Sequence, residues 1–280
     1  MKLRIFHQTV YRYDRPARNL VQSLRLTPSV SEGQRTHDWQ IDVQGGIRGP
    51  GFRDGAGDWI EGWTVRGPTE EVTVTVTGRI ETRDTAGVLR GHRELINPLA
   101  YLRDTPATKP DQALRDLALT AKDAADPLGL AHRLSAVVSD AIAYMPGQTG
   151  FHTTAAEALE KGEGVCQDHA HALIALARLH DLPARYASGY LHTTADGDAH
   201  EAAHAWAEIN VPGLGWVGFD PANRCCPDER YVRLGSGLDA SDAAPIRGIA
   251  AGHGIETMDV AVSVEEVERF QTQSQSQTQS

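Results

Sequence analysis

A cysteine, a histidine and an aspartate follow one another in an order that suits nucleophilic catalysis. Cys166 lies where a helix is predicted to begin, His204 lies on a later predicted strand, and Asp220 lies on the strand after that. A thiolate can attack a carbonyl carbon, an imidazole can carry the proton, and a carboxylate can fix the tautomer of the imidazole. The free N–H groups of a helix N-terminus favour the thiolate and can also donate to an oxyanion. The three residues therefore predict an activated thiol.

The two strands that carry His204 and Asp220 must pair in a particular register for this chemistry. They are joined by a turn over residues 212–215. If Val211 pairs with Trp216, Asp220 points away from His204, because successive side chains of a strand alternate between its faces. A three-residue loop or a one-residue bulge puts both side chains on the same face. We therefore predict one of those two arrangements.

A zinc peptidase is the main competing interpretation of the same region. His200-Glu201-Ala202-Ala203-His204 matches the pattern H-E-x-x-H. Two histidines four residues apart share a face only on a helix, where the glutamate can act as the base. The residues that follow alternate as a strand, and no third ligand is evident. We therefore predict no metal site, and we interpret Cys225 and Cys226 as small buried residues near a strand end, since adjacent cysteines lack zinc-site spacing.

The hydrophobic pattern divides the chain into three parts. Residues 1–90 alternate in polarity and are broken by Gly and Pro clusters, which predicts an antiparallel β domain. Residues 91–270 first show helical spacing, with caps predicted at Asp111 and Thr154, and then return to strands, the last near Met258. Residues 271–280 contain only Gln, Ser and Thr and are predicted to be disordered. The predicted fold class is α+β.

Composition and charge exclude some classes of function. The chain has 280 residues, a net charge of −10 and three cysteines. An acidic chain without clustered Lys and Arg is a poor nucleic-acid binder. No stretch approaches a membrane span of about 20 apolar residues, and no secretory signal is evident at the N-terminus. We therefore expect a reduced, cytoplasmic protein without disulfides.

Four ordered blocks of sequence resemble the bacterial transglutaminase-like superfamily. The blocks are residues 164–171 (GVCQDHAH), 183–191 (PARYASGYL), 204–206 (HAW) and 215–221 (GWVGFDP), and the β-rich N-terminal segment is similar to the domain that accompanies this core. The resemblance implies a papain-like core in which a helix bearing the cysteine packs on an antiparallel sheet. It implies Cys166 as nucleophile, His204 as general base and acid, and Asp220 as the residue that orients His204.

Three further residues are candidates for binding substrate or an oxyanion: Tyr144, Gln167 and Trp206. No cofactor is predicted, and no acidic loop in the sequence indicates a calcium site. Members of the family are often encoded near peptide-ligase-like proteins, which implies a functional link to such an enzyme; the oligomeric state is left open.

The sequence predicts a thiol-dependent acyl-transfer enzyme that acts on peptide or glutamine amide bonds through a thioester. Hydrolysis, as by a cysteine protease or amidase, is favoured over crosslinking because water is the default acceptor and no amine-binding feature is visible. The alternatives are a protein-binding module that keeps the fold without catalysis, and the zinc metallopeptidase that would use His200, Glu201 and His204.

Overall fold

The computed structural model describes residues 1–121, 124, 126–193, 202–252 and 254–267. The described strands are β1 (Lys2–Leu24), β2 (Gln34–Val43), β3 (Gly46–Arg53), β4 (Trp59–Thr82), β5 (Ala143–Tyr144), β6 (Glu163–Gly164), β7 (Ala184–Leu191), β8 (Ala203–Val211), β9 (Gly215–Phe219), β10 (Tyr231–Gly237), β11 (Ile246–Ala251) and β12 (Glu256–Glu266). The described α-helices are α1 (Gln112–Leu119), α2 (Pro127–Ala141), α3 (Ala155–Lys161) and α4 (Cys166–Leu179), and a 3-10 helix covers Pro98–Leu102. These antiparallel sheets and helices confirm the predicted α+β class. None of the described helices is both long and apolar enough to cross a membrane.

A large antiparallel sheet is built on the two longest strands, β1 and β4. Alternate residues of β1, such as Leu3 and Ile5, are buried between exposed ones, as the alternating pattern predicts. β2 and β3 pair with β4, while β11 and β12 both pair with β1. The Gly-Pro clusters at 49–51 and 67–68 were expected to separate strands, but they lie within β3 and β4 where the register is irregular. Proline is tolerated there because an irregular position needs no ladder N–H.

The hydrophobic pattern assigned the last predicted strand, near Met258, to the same part of the chain as residues 91–270. The pairing of the strands corrects this assignment. β12 pairs with β1 from Leu3↔Glu266 to Tyr13↔Glu256, so the end of the described chain completes the N-terminal sheet. β11 pairs with the second half of β1 in the same way. Strand alternation identifies a strand but not its partner, which explains the misplacement. The predicted disordered tail at 271–280 lies outside the described residues.

The second sheet has the order β10-β7-β8-β9, and α4 packs against its two central strands. The face of α4 that carries Leu173, Ile174 and Ala177 is fully buried, in a core shared with Ala207 and Ile209 of β8. The predicted caps are present as well. The side chain of Asp111 accepts a hydrogen bond from Leu114 N at the start of α1, and Thr154 and Glu157 form a capping box at the start of α3. This packing holds the first turn of α4 above the sheet.

Buried charges join the two sheets. Arg233 of β10 donates to Glu208 of β8 at 2.7 Å and to Asp58, from the turn before β4, at 2.8 Å. Arg185 of β7 donates to the other oxygen of Glu208 at 2.7 Å and stacks on the ring of Trp216 at 4.0 Å. All these ionic groups are buried, so each needs its partner to offset the cost of leaving water. Since Glu208 and His204 share β8, the network also anchors the strand that carries the histidine.

Candidate active site

Cys166 is the first residue of α4, and its helix start is held by an unusual cap. Val165 cannot cap with its own side chain, and instead its backbone N–H donates to the carboxylate of Asp168 at 2.8 Å. Thr149 donates to the same oxygen at 2.6 Å, so the loop before α3 is tied to the helix start. A Cβ at Gly164 would lie 2.8 Å from the Cβ of Asp168, which explains the glycine there. The thiol therefore sits at a fixed helix N-terminus.

The hairpin of β8 and β9 brings His204 and Asp220 together. Val211 pairs with Gly215, which leaves the three-residue loop that the register argument predicts. The two side chains then share a face, and Nε2 of His204 lies 2.6 Å from Oδ2 of Asp220. Both side chains are almost completely buried. The register prediction is therefore confirmed.

Asp220 also has partners that the sequence analysis did not single out. The amide of Asn223 donates to Oδ2 at 2.8 Å, and the hydroxyl of Tyr231 donates to the same oxygen, also at 2.8 Å. The backbone N–H of Asn223 is 3.2 Å from Oδ1. An asparagine three residues after an aspartate in a turn is a weak sequence signal for such a contact. Tyr231 lies on a different strand, and no sequence pattern indicates that it contacts Asp220.

The surroundings of His204 shift its protonation. Burial by itself lowers the pKa of His204, but hydrogen bonds with Asp220 and Cys166, together with the negative charges of both groups, raise this pKa to about 10. Burial by itself raises the pKa of Asp220, but hydrogen bonds from His204, Asn223 and Tyr231 and the charge of His204 hold it below its ordinary value. The arrangement therefore favours an imidazolium between two acidic partners.

A small pocket opens beside the histidine. It is lined by Tyr144, Leu191, His204, Ala222 and Asn223 and has a volume of about 130 Å³. Tyr144 is 38% exposed and lies on β5, whose partner β6 leads directly into Cys166. The structure thus places Tyr144 at the pocket beside His204, and its role toward a substrate stays a prediction.

The other two candidate substrate residues make contacts within the protein. The side-chain amide of Gln167 donates to the carbonyl oxygen of Phe151 at 3.0 Å, so it anchors the loop before α3. Trp206 is buried, with its ring edge-to-face against Tyr231 at 5.6 Å. Trp206 does not line the pocket beside His204, and its role toward a substrate stays a prediction.

The remaining histidines and cysteines near the site have local partners. The ring nitrogens of His169 lie 2.9 Å from the carbonyl oxygens of Val165 and Ile142, and His171 accepts from Ala240 N at 3.0 Å. Cys225 and Cys226 are partly buried thiols after β9.

For the zinc interpretation, His204 lies on a strand rather than on the helix that the H-E-x-x-H motif requires. His200 and Glu201 lie outside the described residues. Within the described parts of the chain, no three His, Cys, Asp or Glu side chains are grouped as metal ligands.

Comparisons with known proteins show the family of the chain. Residues 115–221 match the transglutaminase-like superfamily, and residues 3–81 match the bacterial transglutaminase-like N-terminal region. An uncharacterized protein from Mycobacterium leprae is 30% identical over 281 residues, which cover 94% of this chain and 98% of that protein. An uncharacterized protein from Mycobacterium tuberculosis is 30% identical over 276 residues, covering 89% and 87%.

The chain is also similar to a solved structure from Cytophaga hutchinsonii whose name is "putative cysteine protease". The two share a TM-score of 0.75 at 20% sequence identity, and the match covers 97% of this chain and 92% of the other chain. At that identity the likeness shows a shared fold.

Proposed function

Since the chain belongs to the transglutaminase-like superfamily and carries its bacterial N-terminal region, we propose that it is a thiol-dependent acyl-transfer enzyme acting on amide bonds. One observation carries the proposal. His204 is hydrogen-bonded to buried Asp220 and also interacts with Cys166, which lies at the start of a helix. A thiol placed there would lose its proton to the imidazole and act as a thiolate.

The first half of the proposed reaction forms a thioester. The Cys166 thiolate attacks the amide carbonyl carbon, and the carbonyl oxygen becomes an oxyanion. The backbone N–H of Cys166, one of the first four of its helix, has no acceptor within the helix and can donate to that oxyanion. As the C–N bond breaks, the imidazolium of His204 gives its proton to the departing amine. Asp220 stabilises the imidazolium until that transfer.

The second half releases the acyl group. Neutral His204 takes a proton from the attacking water, whose oxygen forms the new bond to the thioester carbonyl while the C–S bond breaks. The thiolate and imidazolium are then restored. An amine in place of water would give crosslinking. We favour hydrolysis because water is the default acceptor, and peptides or proteins are the expected substrates. The cytoplasmic location and the functional link to a peptide-ligase-like enzyme stay predictions.

The test is a short pulse of iodoacetamide at pH 6, followed by intact mass spectrometry and peptide mapping. Selective labelling of Cys166 that falls in His204→Ala supports an activated thiol. Equal, slow labelling of Cys166, Cys225 and Cys226 would contradict the proposal and favour a binding module.

Product analysis then separates the two acyl acceptors. Casein digested by wild-type protein but not by Cys166→Ala supports hydrolysis. Incorporation of a fluorescent primary amine into casein without fragmentation would instead assign crosslinking.

A further inference from the structure

One oxygen of Asp220 accepts three hydrogen bonds. Oδ2 lies 2.6 Å from Nε2 of His204, 2.8 Å from Nδ2 of Asn223 and 2.8 Å from the hydroxyl of Tyr231. Asn223 belongs to the same turn as Asp220, whereas Tyr231 begins β10, the edge strand on the far side of β7. Tyr231 also lies beyond residues 115–221, the segment that matches the superfamily. The fold therefore brings a distant hydroxyl to the carboxylate that faces the histidine.

We propose that Tyr231 is a positioning residue that acts on His204 through Asp220, by donating to the same carboxylate oxygen that binds the imidazole. The inference rests on the proposed function, because it assigns Tyr231 a part in the proton transfer that His204 performs there. Tyr231 does not line the pocket beside His204, so its effect reaches the substrate only through its neighbours.

The surroundings of Tyr231 fix both its ring and its proton. The ring is edge-to-face with Trp206 at 5.6 Å and packs against His204 at 5.9 Å. Burial, and the negative charge of Asp220 after it, raise the pKa of Tyr231 far above its ordinary value, so the hydroxyl keeps its proton and donates to Asp220. Sγ of Cys225 lies 3.3 Å from the hydroxyl oxygen and can donate in turn. The carboxylate of Asp220 is a stronger acceptor than the sulfur of Cys225, so the hydroxyl donates to the carboxylate.

Sharing one oxygen among three donors has a consequence for His204. Each added donor withdraws negative charge from Oδ2, so each of the other hydrogen bonds to that oxygen becomes weaker. Without Tyr231, the carboxylate would hold the imidazolium proton of His204 more tightly. A more tightly held proton is a poorer one to give to a departing amine.

The other titratable or charged groups around this pair are few in the described chain. Cys166 of α4 interacts with His204 by a hydrogen bond and by charge, and Cys225 contacts the hydroxyl of Tyr231. The ion pair of Arg230 and Asp228 lies beyond Cys225. Because a Tyr231→Phe change leaves all of these groups in place, it isolates the effect of the hydroxyl.

The matched control is another buried tyrosine on the neighbouring strand. The hydroxyl of Tyr190 is hydrogen-bonded to Nδ1 of His7 at 2.8 Å, in the N-terminal sheet. Tyr190→Phe removes a buried hydrogen bond of the same kind without touching Asp220. Each variant should lose about 1–3 kcal/mol of stability, and the larger loss is expected for Tyr231→Phe, whose hydroxyl donates to a charged carboxylate. A change in reactivity that appears in Tyr231→Phe but not in Tyr190→Phe therefore reports on the His204–Asp220 pair.

The main experiment follows the rate of Cys166 alkylation by iodoacetamide from pH 4 to pH 11. The alkaline inflection of this profile marks the loss of the imidazolium proton. Tyr231→Phe should raise that inflection by about half a pH unit. It should reduce the turnover number for casein peptides by up to about threefold, with KM unchanged. Tyr190→Phe should have the same alkaline inflection and the same turnover number as the wild type. Incorporating 3-fluorotyrosine at position 231 makes the hydroxyl a stronger donor, and should lower the inflection.

A second readout does not depend on activity. The proton between Nε2 of His204 and Asp220 should give a far-downfield ¹H NMR resonance, which moves further downfield in Tyr231→Phe as that hydrogen bond strengthens. An unmoved inflection and an unmoved resonance would overturn the inference, and so would equal shifts in Tyr190→Phe. If Cys166 proves unreactive in the wild type, the proposed function fails, while the resonance still decides whether Tyr231 acts on the pair.

Discussion

Replacing Asp220 with asparagine tests the centre of the proposed mechanism. The change keeps the size of the side chain but removes the charge that lies 2.6 Å from His204. The amide cannot satisfy every neighbour of the carboxylate: if its oxygen faces His204, Asn223 and Tyr231, its NH₂ group faces the backbone N–H of Asn223, which is also a donor. We therefore expect both an electrostatic loss and one opposed donor pair, the latter costing about 1–3 kcal/mol of stability.

The magnitude for His204 follows from its surroundings. Burial lowers the pKa of His204, and the interactions with Asp220 and Cys166 raise it from the ordinary value of 6.5 to about 10. Without the charge of Asp220, only the interaction with Cys166 opposes the effect of burial on His204. The pH at which His204 loses its imidazolium proton should then fall by about 2 units or more, equivalent to about 3 kcal/mol. Such a fall still leaves His204 largely protonated at neutral pH, so the loss of turnover should come mainly from the lost orientation and charge stabilisation of the imidazolium. Turnover should fall by about 10³- to 10⁴-fold, as expected for loss of a histidine-orienting carboxylate.

The assay is the pH dependence of Cys166 alkylation, with casein turnover measured in parallel. Asp140→Asn is the matched control, because Asp140 pairs with Arg224 on the surface and both side chains are more than 60% exposed. It should leave the alkaline inflection unchanged. If the inflection of Asp220→Asn coincides with that of the wild type, the proposed mechanism is wrong at this point, since Asp220 then contributes nothing to the proton affinity of His204.

Two further predictions concern buried groups away from the nucleophile. Burial by itself raises the pKa of Glu208, but the charges of Arg233 and Arg185 lower this pKa from 4.5 to about 2. The ionised carboxylate therefore adds about 3 kcal/mol to the free energy of unfolding above pH 4.5, and this contribution is lost as the pH falls toward 2. Glu208→Gln should therefore be less stable in urea at pH 7 by that amount, with the difference from wild type closing as the pH falls; a difference independent of pH would contradict this. Burial also raises the pKa of Cys225, and that of Cys226 to about 11, so at pH 7 iodoacetamide should label both more slowly than a model peptide thiol, whose pKa is about 8.5. Timed peptide mapping checks this, and labelling of either at the rate of the model thiol would rule it out.

Much of the local structure follows from short-range patterns. The alternation in β1, the cap at Asp111 and the capping box at Thr154 all depend on residues no more than four positions apart. The register of the β8–β9 hairpin also follows, because His204 and Asp220 meet only if the loop has three residues or the strand carries a bulge. Patterns of this range decide which faces of an element are buried.

Other features lie beyond such patterns. The pairing of β12 with β1 joins residues at opposite ends of the chain, and no feature of either strand specifies the other. The ion network of Arg233, Glu208 and Asp58 is assembled from two sheets, and charged residues on strands ordinarily predict an exposed face. Strand parity places Trp206 on the same face of β8 as His204, but it does not specify that the ring of Tyr231 packs against it.

The sequence predicts the nucleophile, its base and the orienting carboxylate, since these predictions depend on residue type, helix position and strand parity. The sharing of one carboxylate oxygen by Tyr231 and His204, and the completion of the N-terminal sheet by β11 and β12, follow from tertiary contacts alone. The physical reason is that local conformation is set by neighbours within a turn or a strand repeat, whereas contacts between distant segments are set by which buried surfaces and polar groups can satisfy one another in three dimensions.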